Sequence, residues 1–466
     1  MINIISKTAL ALVISATLAA SVHAEIALPK DLPAYAADKP LPVPEISKQT
    51  LDNGLTVWVV PREGVPRVDY VLSFKDAGLA ADDAAMPGFA STLASMLSEG
   101  TKNRDSKDIA ETAQGYGGSV GAYASNDGLT LVANAVASQA EPMMDLLSEI
   151  ARSPSFPENE IVLTKANALQ GLKAAEAQPG FRAERAILSA VYGEHPYART
   201  QATEAGINAV TQEKLKAAYA TRLRPDKALL VISGRIDKDN AFKLAKAALG
   251  DWTVDGDALA QTTPPSGKMK PTFVHLDRDG SVQSSVRIGR PAVSATNPDY
   301  IALRLTSTIL GGGFSSRLMQ NLREDKGYTY GAGVGYRAQS QGGALIASAD
   351  VRNEVTGAAL GEFFAEYKRI GSEAVSDDEM QMNKRYVAGG YLISNQLQGA
   401  VASTLANNWL VGLPPEFLGE FVPKVREVDA KQVQAMGRKY YDPKAQSIVV
   451  VGDQAVVEQL KDYGFK

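Results

Sequence analysis

The sequence predicts an α+β fold built twice: two homologous domains of about 200 residues, each a mainly antiparallel sheet with helices packed on one face. Three observations predict it. Strand-like and helix-like blocks alternate along the chain. VTQEKLKAAYATRLRPDKALLVISG (210–234) lines up without a gap on VDAKQVQAMGRKYYDPKAQSIVVVG (428–452), a constant offset of 218 residues. In both copies a helix runs to a Pro-containing turn and then to an apolar strand ending in Gly. Between the copies, VDGDALAQTTPPSGK (254–268) is polar, rich in Gly and Pro and without periodicity, which reads as a linker.

The elements follow in order. One Lys in MINIISK, the apolar run TALALVISATLAASV and the small-x-Ala pattern VHA before Glu25 read as a signal peptide over 1–24. The run is too short for a comfortable membrane span, and no second apolar segment reaches ~18 residues, so no stable membrane insertion is expected. A Pro-rich lead-in (25–46) precedes a first domain over 47–253, the linker, and a second domain over 269–466. LTVWVVP (55–61) and RVDYVLSF (67–74) are β-branched and aromatic-rich and read as paired strands. Helices are expected at about 87–98 and 106–116, two strands within 117–136, and helices at about 139–152, 158–176, 180–190 and 211–222. KALLVIS (227–233) reads as a buried strand.

Composition narrows the function. With 45% apolar and 21% charged residues the chain is an ordinary globular protein. A net charge of −4 and the lack of any Lys/Arg run argue against a nucleic-acid surface. The sequence contains no Cys, so neither a disulfide nor a lipidated cysteine can form. An exported, cysteine-free chain points to the periplasm of a Gram-negative bacterium. Three His are present: His23 lies in the signal, His195 in the loop-like GEHPYA and His275 in the strand-like TFVHLD. Neither of the last two has a second His or Cys at metal-ligand spacing.

GFASTLASMLSEGT (88–101) carries Ser91, Ala94 and Ser95 at i, i+3 and i+4, one helix face of small residues. Leu93, Met96 and Leu97 form a separate apolar stripe, and Gly100 is placed as a C-terminal stop. By itself this is a buried helix with a small face for close packing. Asp76, Asp82, Asp83 and Glu99 flank it without a paired acid/base arrangement. In the second half, LGGGFSSRL (310–318) ends an apolar helix in three glycines and lacks the Gly-Lys-Ser/Thr of a phosphate loop.

LDNGLTVWVV, GFASTLASMLSEGTKNR, GGSVGAYAS and LGGGFSSRLMQNLREDKGYTYGAG together resemble the pitrilysin/insulinase zinc peptidases and the mitochondrial processing peptidase group. The resemblance runs from about residue 48 to the end. In catalytic members the first-half helix carries an inverted zinc signature, His-x-x-Glu-His, whose His bind zinc and whose Glu is the general base. Here those positions are Ser91, Ala94 and Ser95. The third ligand, a Glu on a later helix, falls on Gln170 or Gly171. The resemblance therefore implies no metal in this chain, with zinc on a homologous partner.

It also implies a role for the second half. Arg323 and Tyr330, seven residues apart in LREDKGYTYG, match a pair that contacts the substrate carbonyl; Arg and a Tyr hydroxyl suit a developing oxyanion. Gly311, Gly312, Gly313 and Phe314 match a substrate-holding Gly-rich loop. Gly121 and Ala122, in GGSVGAYAS, match a docking edge strand on which a peptide adds; Gly121 stands where catalytic members have Asn. The expectation is a non-catalytic subunit that binds peptide or unfolded substrate and completes the site of a zinc-bearing partner in a heterodimer. Its rival is an inert peptide-binding or scaffold protein of the same fold, as in relatives within respiratory complexes.

Overall fold

Two mixed sheets of matching connectivity organise the computed structural model, which describes residues 43–265 and 270–465. The expected signal peptide, nearly all of the lead-in and part of the linker lie outside the described residues. The first sheet contains β1 (Ser47–Thr50), β2 (Thr56–Pro61), β3 (Arg67–Lys75), β4 (Ser119–Ala124), β5 (Gly128–Val136) and β6 (Ala228–Gly234), in the order β1-β2-β6-β3-β5-β4. The second contains β7 (Phe273–Asp277), β8 (Gln283–Ala292), β9 (Thr329–Ala338), β10 (Gly343–Arg352) and β11 (Ser447–Gly452), in the order β7-β11-β8-β10-β9. β2 runs parallel to β6 and β7 parallel to β11; every other pairing is antiparallel. Apart from β1 the two sheets are copies, strand for strand.

The helices of the first half are α1 (Phe89–Met96), α2 (Ser106–Gly115), α3 (Ala140–Arg152), α4 (Glu158–Glu176), α5 (Pro179–Tyr192), α6 (Glu204–Asn208), α7 (Gln212–Arg222) and α8 (Lys238–Leu249). Those of the second are α9 (Tyr300–Gly311), α10 (Thr356–Ser372), α11 (Asp377–Ser394), α12 (Gln398–Leu410), α13 (Phe417–Glu427), α14 (Ala430–Tyr440) and the short α15 (Val457–Leu460). The expected first-half helices and strands match these within a few residues at each end, but LTVWVVP and RVDYVLSF are not paired with each other: β6, from far later in the chain, lies between them, parallel to β2 and antiparallel to β3.

Strand periodicity explains the layering. Val57 and Val59 of β2 point into one core with Leu230 and Ile232 of β6, beneath α1, α3 and α8. Their neighbours Trp58, Val60, Leu229 and Val231 point the other way, and that face is also dry. It is covered by α12 from the other half, through Val401, Ala402, Leu405 and Ala406. The exchange is mutual: α5 of the first half lays Ala183, Ile187 and Val191 against Ile346, Val449 and Val451 of the second sheet. Gly289 admits it, since a Cβ there would stand 3.0 Å from the Ile187 side chain. Each buried aliphatic side chain in such a layer contributes about 1.5–3 kcal/mol.

The small-residue helix needs one adjustment. Gly100 is not its stop: α1 ends at Met96, and Gly100 pairs with Asp105 in an isolated bridge, packed against Pro157 and Ser155. The glycine that the helix requires stands at its other end. Gly88 is the N-cap at φ +83°, a left-handed conformation that costs a side chain dearly.

Candidate functional site

Leu93, Met96 and Leu97 anchor α1 in the core, which turns Ser91 and Ser95 to the surface while Ala94 is fully buried. Ser95 Oγ donates to the Thr92 carbonyl at 3.0 Å. Gln170 and Gly171 are exposed on α4. Two hydroxyls, a methyl and an amide or nothing are a poor donor set for zinc, which takes imidazole, thiolate and carboxylate. Ala94 has no proton-accepting atom. Among the described residues no three His, Cys, Asp or Glu gather as a metal site. His195 Nε2 meets the Thr263 carbonyl and His275 Nε2 the Gly452 carbonyl, so the two imidazoles serve separate parts of the fold.

The acids flanking α1 have architectural roles that the sequence did not reveal. Asp82 accepts from the Ala90 N–H at the start of α1 and pairs with Arg222 at 2.8 Å, both side chains buried. Arg222 also donates to the Ala81 carbonyl and lies over the Phe89 ring. Burial holds the Asp82 carboxyl above its ordinary value, partly offset by Arg222. The hint was only an Arg at the end of α7, facing an Asp 140 residues earlier. Glu99 is likewise pushed up, by burial and then by Glu160.

In the second half the expected pair does come together. Met319–Asp325 forms a π-helical turn carrying Arg323, and Gly327, at φ +61°, reverses the chain into β9, where Tyr330 stands. Arg323 and Tyr330 line one cleft of about 640 Å3, with Gln283, Glu324, Arg352 and Glu354. Tyr330 is 90% exposed, an unusual placement for an aromatic side chain. The Arg323 guanidinium lies over the Phe314 ring, 4.4 Å from its centroid, with Nε 3.3 Å from Glu324. Phe314 is itself 62% exposed. A cation and a phenol on one open wall can hydrogen-bond a carbonyl oxygen presented to them.

The glycines around Phe314 serve the chain itself first. A Cβ at Gly311 would lie 2.4 Å from the Val334 nitrogen, one at Gly312 2.6 Å from the Thr308 Cα, and one at Gly313 3.2 Å from the Tyr386 ring. The expected benefit to a ligand is therefore a consequence: without side chains the loop leaves a shallow hollow of about 350 Å3 between Phe314, Met319 and Gly331. Gly121 and Ala122 sit in β4, which pairs only with β5 and forms the outer edge of its sheet. Nothing lies within 4 Å of the Gly121 Cβ position. β9 occupies the same edge of the second sheet.

A polar latch joins the halves near these edges. Asp127, beside β5, accepts from the Tyr197 hydroxyl at 2.5 Å and from Ser340 Oγ at 2.7 Å. Tyr192, His195 and Tyr197 cluster beside it, with the Tyr197 ring edge-on to the other two. Burial lowers the His195 pKa below its ordinary value.

Comparison with known proteins finds family models along most of the chain. Residues 71–204 match the family model described as insulinase (peptidase family M16), and residues 209–387 match the one described as peptidase M16 inactive domain. An uncharacterized zinc protease of Mycobacterium leprae is 23% identical over 426 residues, covering 89% of this chain and 93% of that protein. A non-peptidase homolog of Helicobacter pylori is 22% identical over 369 residues, covering 78% and 83%. The crystal structure of a peptidase M16 inactive domain from Pseudomonas fluorescens superposes with a TM-score of 0.82 at 26% identity, covering 88% of this chain and 98% of that one.

Proposed function

Since this chain belongs to the insulinase family of peptidases, M16, we propose that it is the non-catalytic subunit of a periplasmic zinc endopeptidase. In this reading it binds peptide or unfolded substrate and presents Arg323 and Tyr330 to the carbonyl attacked on a homologous, zinc-bearing chain. The observation that carries it is an asymmetry of chemistry on a symmetric frame. The surface of α1 and α4 lacks every zinc ligand and the base, while the cleft of the second half keeps a cation and a phenol open to solvent.

The residues divide the work. β4 offers an unpaired strand edge, so an extended peptide can add to the first sheet through its main chain. Arg323, braced on the Phe314 ring, donates toward the oxygen that gains charge when the peptide carbonyl turns tetrahedral, and the Tyr330 hydroxyl is the second donor. Zinc, on the partner, supplies the activated water. Loss of one such donor typically costs ~3 kcal/mol of transition-state stabilisation, so Arg323→Ala is expected to slow cleavage by the mixed subunits about a hundredfold. A wild-type rate for that variant in the mixed complex sinks the assignment. An inert scaffold gives a different result: adding this chain to the zinc-bearing one leaves peptide cleavage unchanged.

A further inference from the structure

A cavity of about 830 Å3 lies between α9, α11 and α12, beyond the Gly-rich loop. Gly312 borders both this cavity and the shallow hollow, and the hollow reaches Phe314, over which Arg323 lies. The Arg323–Phe314 contact thus stands between the Arg323–Tyr330 cleft and the hollow, and Gly312 separates the hollow from the cavity.

Its lining is unusual in charge. Arg304 and Arg385 are there with Thr308, Asn395, Asn407 and Asn408, and no carboxylate is among its lining residues. Arg304 donates to the Tyr300 hydroxyl and lies over the Phe421 ring, contacts that place the cation without neutralising it. The Asn408 side-chain N–H and the Asn395 side-chain carbonyl are both buried without a hydrogen-bond partner among the described residues. A buried polar atom left unpaired is costly, and here one is a donor and the other an acceptor.

The floor is stranger still. Gly389 and Gly390 stand inside the 18-residue helix α11, where glycine weakens a helix. Interior helical glycines usually admit a close neighbour, yet nothing lies within 4 Å of either Cβ position. The space they leave opens into the cavity.

We propose that this cavity is an anchoring subsite for a carboxylate of the bound peptide, carried by its C-terminus or by an acidic side chain. Arg304 faces the carboxylate, and Thr308 and Asn407 line the same space. The proposal rests on the peptide-binding reading above and adds a preference for acidic substrates.

The test uses the mature chain and three fluorescent alanine/serine decapeptides: a free acid, its C-terminal amide, and the amide with one internal Glu. Fluorescence anisotropy should show the free acid or the Glu peptide bound about tenfold more tightly than the neutral amide, the scale of one charge-assisted hydrogen bond. Which of the two is favoured identifies the source of the carboxylate. Arg304→Gln should remove that advantage, as should Gly389→Leu, which fills the cavity and adds a helix former where space is open. Equal binding of all three peptides to the wild type, or an advantage that survives both variants, overturns the anchor and leaves peptide binding standing. If none of the three binds, both readings fall.

Discussion

α1 with α4 and the Arg323–Tyr330 cleft stand on two sheets of the same strand order, yet they spend their polar residues in opposite directions. In the first half Asp82 and Arg222 pair, buried, beside α1, and the positions that the resemblance matches to zinc ligands present two serines, a glutamine and a glycine at the surface. In the second half a cation and a phenol face out, with Arg323 braced on an exposed ring. A duplicated frame conserves its buried layers because packing fixes them, whereas surface chemistry can be lost from one copy and retained in the other.

The sharpest way to break this contrast is to put the missing base back. Ala94 is fully buried, so a carboxylate there has neither water nor a cation to meet. Ala94→Glu should destabilise the chain by about 4–7 kcal/mol, the cost of shifting a carboxyl by three to five units on burial. Urea denaturation measures it; a change under 1 kcal/mol means that α1 can still open toward a catalytic geometry. Ser91→His and Ser95→His, on the exposed face, should fold normally by the same assay.

Next in size is Arg222→Ala. It leaves Asp82 buried without its partner and should cost about 3–5 kcal/mol. A small loss would mean that the first half holds α1 by packing alone. The hundredfold effect expected of Arg323→Ala on cleavage comes without a comparable loss of stability, because that side chain is a third exposed and lies outside the core. A matching drop in the melting midpoint would make Arg323 structural and erase the contrast.

The smallest effect concerns the latch between the halves. His195 has a pKa lowered by burial, with Arg199 adding to the shift and the Thr263 carbonyl and Asp127 opposing it. The folded chain therefore binds fewer protons here than the unfolded one. Its contribution to stability is full above the ordinary histidine pKa of about 6.5 and is lost as pH falls through the lower, folded value. The melting midpoint should decline over that window, and His195→Gln should flatten the decline. An unchanged pH profile for the variant would show that the latch does not sense protons.

Most secondary structure was legible because its signals are local. The offset of 218 residues exposed the duplication, and the unbroken apolar run in KALLVIS already marked a buried strand. The lack of zinc ligands on α1 was equally plain once the resemblance marked two ligand positions and the base position on one helix turn, at Ser91, Ser95 and Ala94. The misplaced stop at Gly100 came from treating any glycine after an apolar stripe as a cap, when Gly100 was needed for contact with Pro157.

By itself, then, the sequence determined the two-fold architecture, the absence of zinc-binding side chains on α1 and the spacing of Arg323 and Tyr330. Only the tertiary structure decided which helix covers each second face, that Asp82 meets Arg222, and that Gly389 and Gly390 open onto a cavity. The physical reason is range. Periodicity and spacing are properties of neighbouring residues, whereas a contact between residues 140 apart exists only after the whole chain has chosen how to bury its apolar faces.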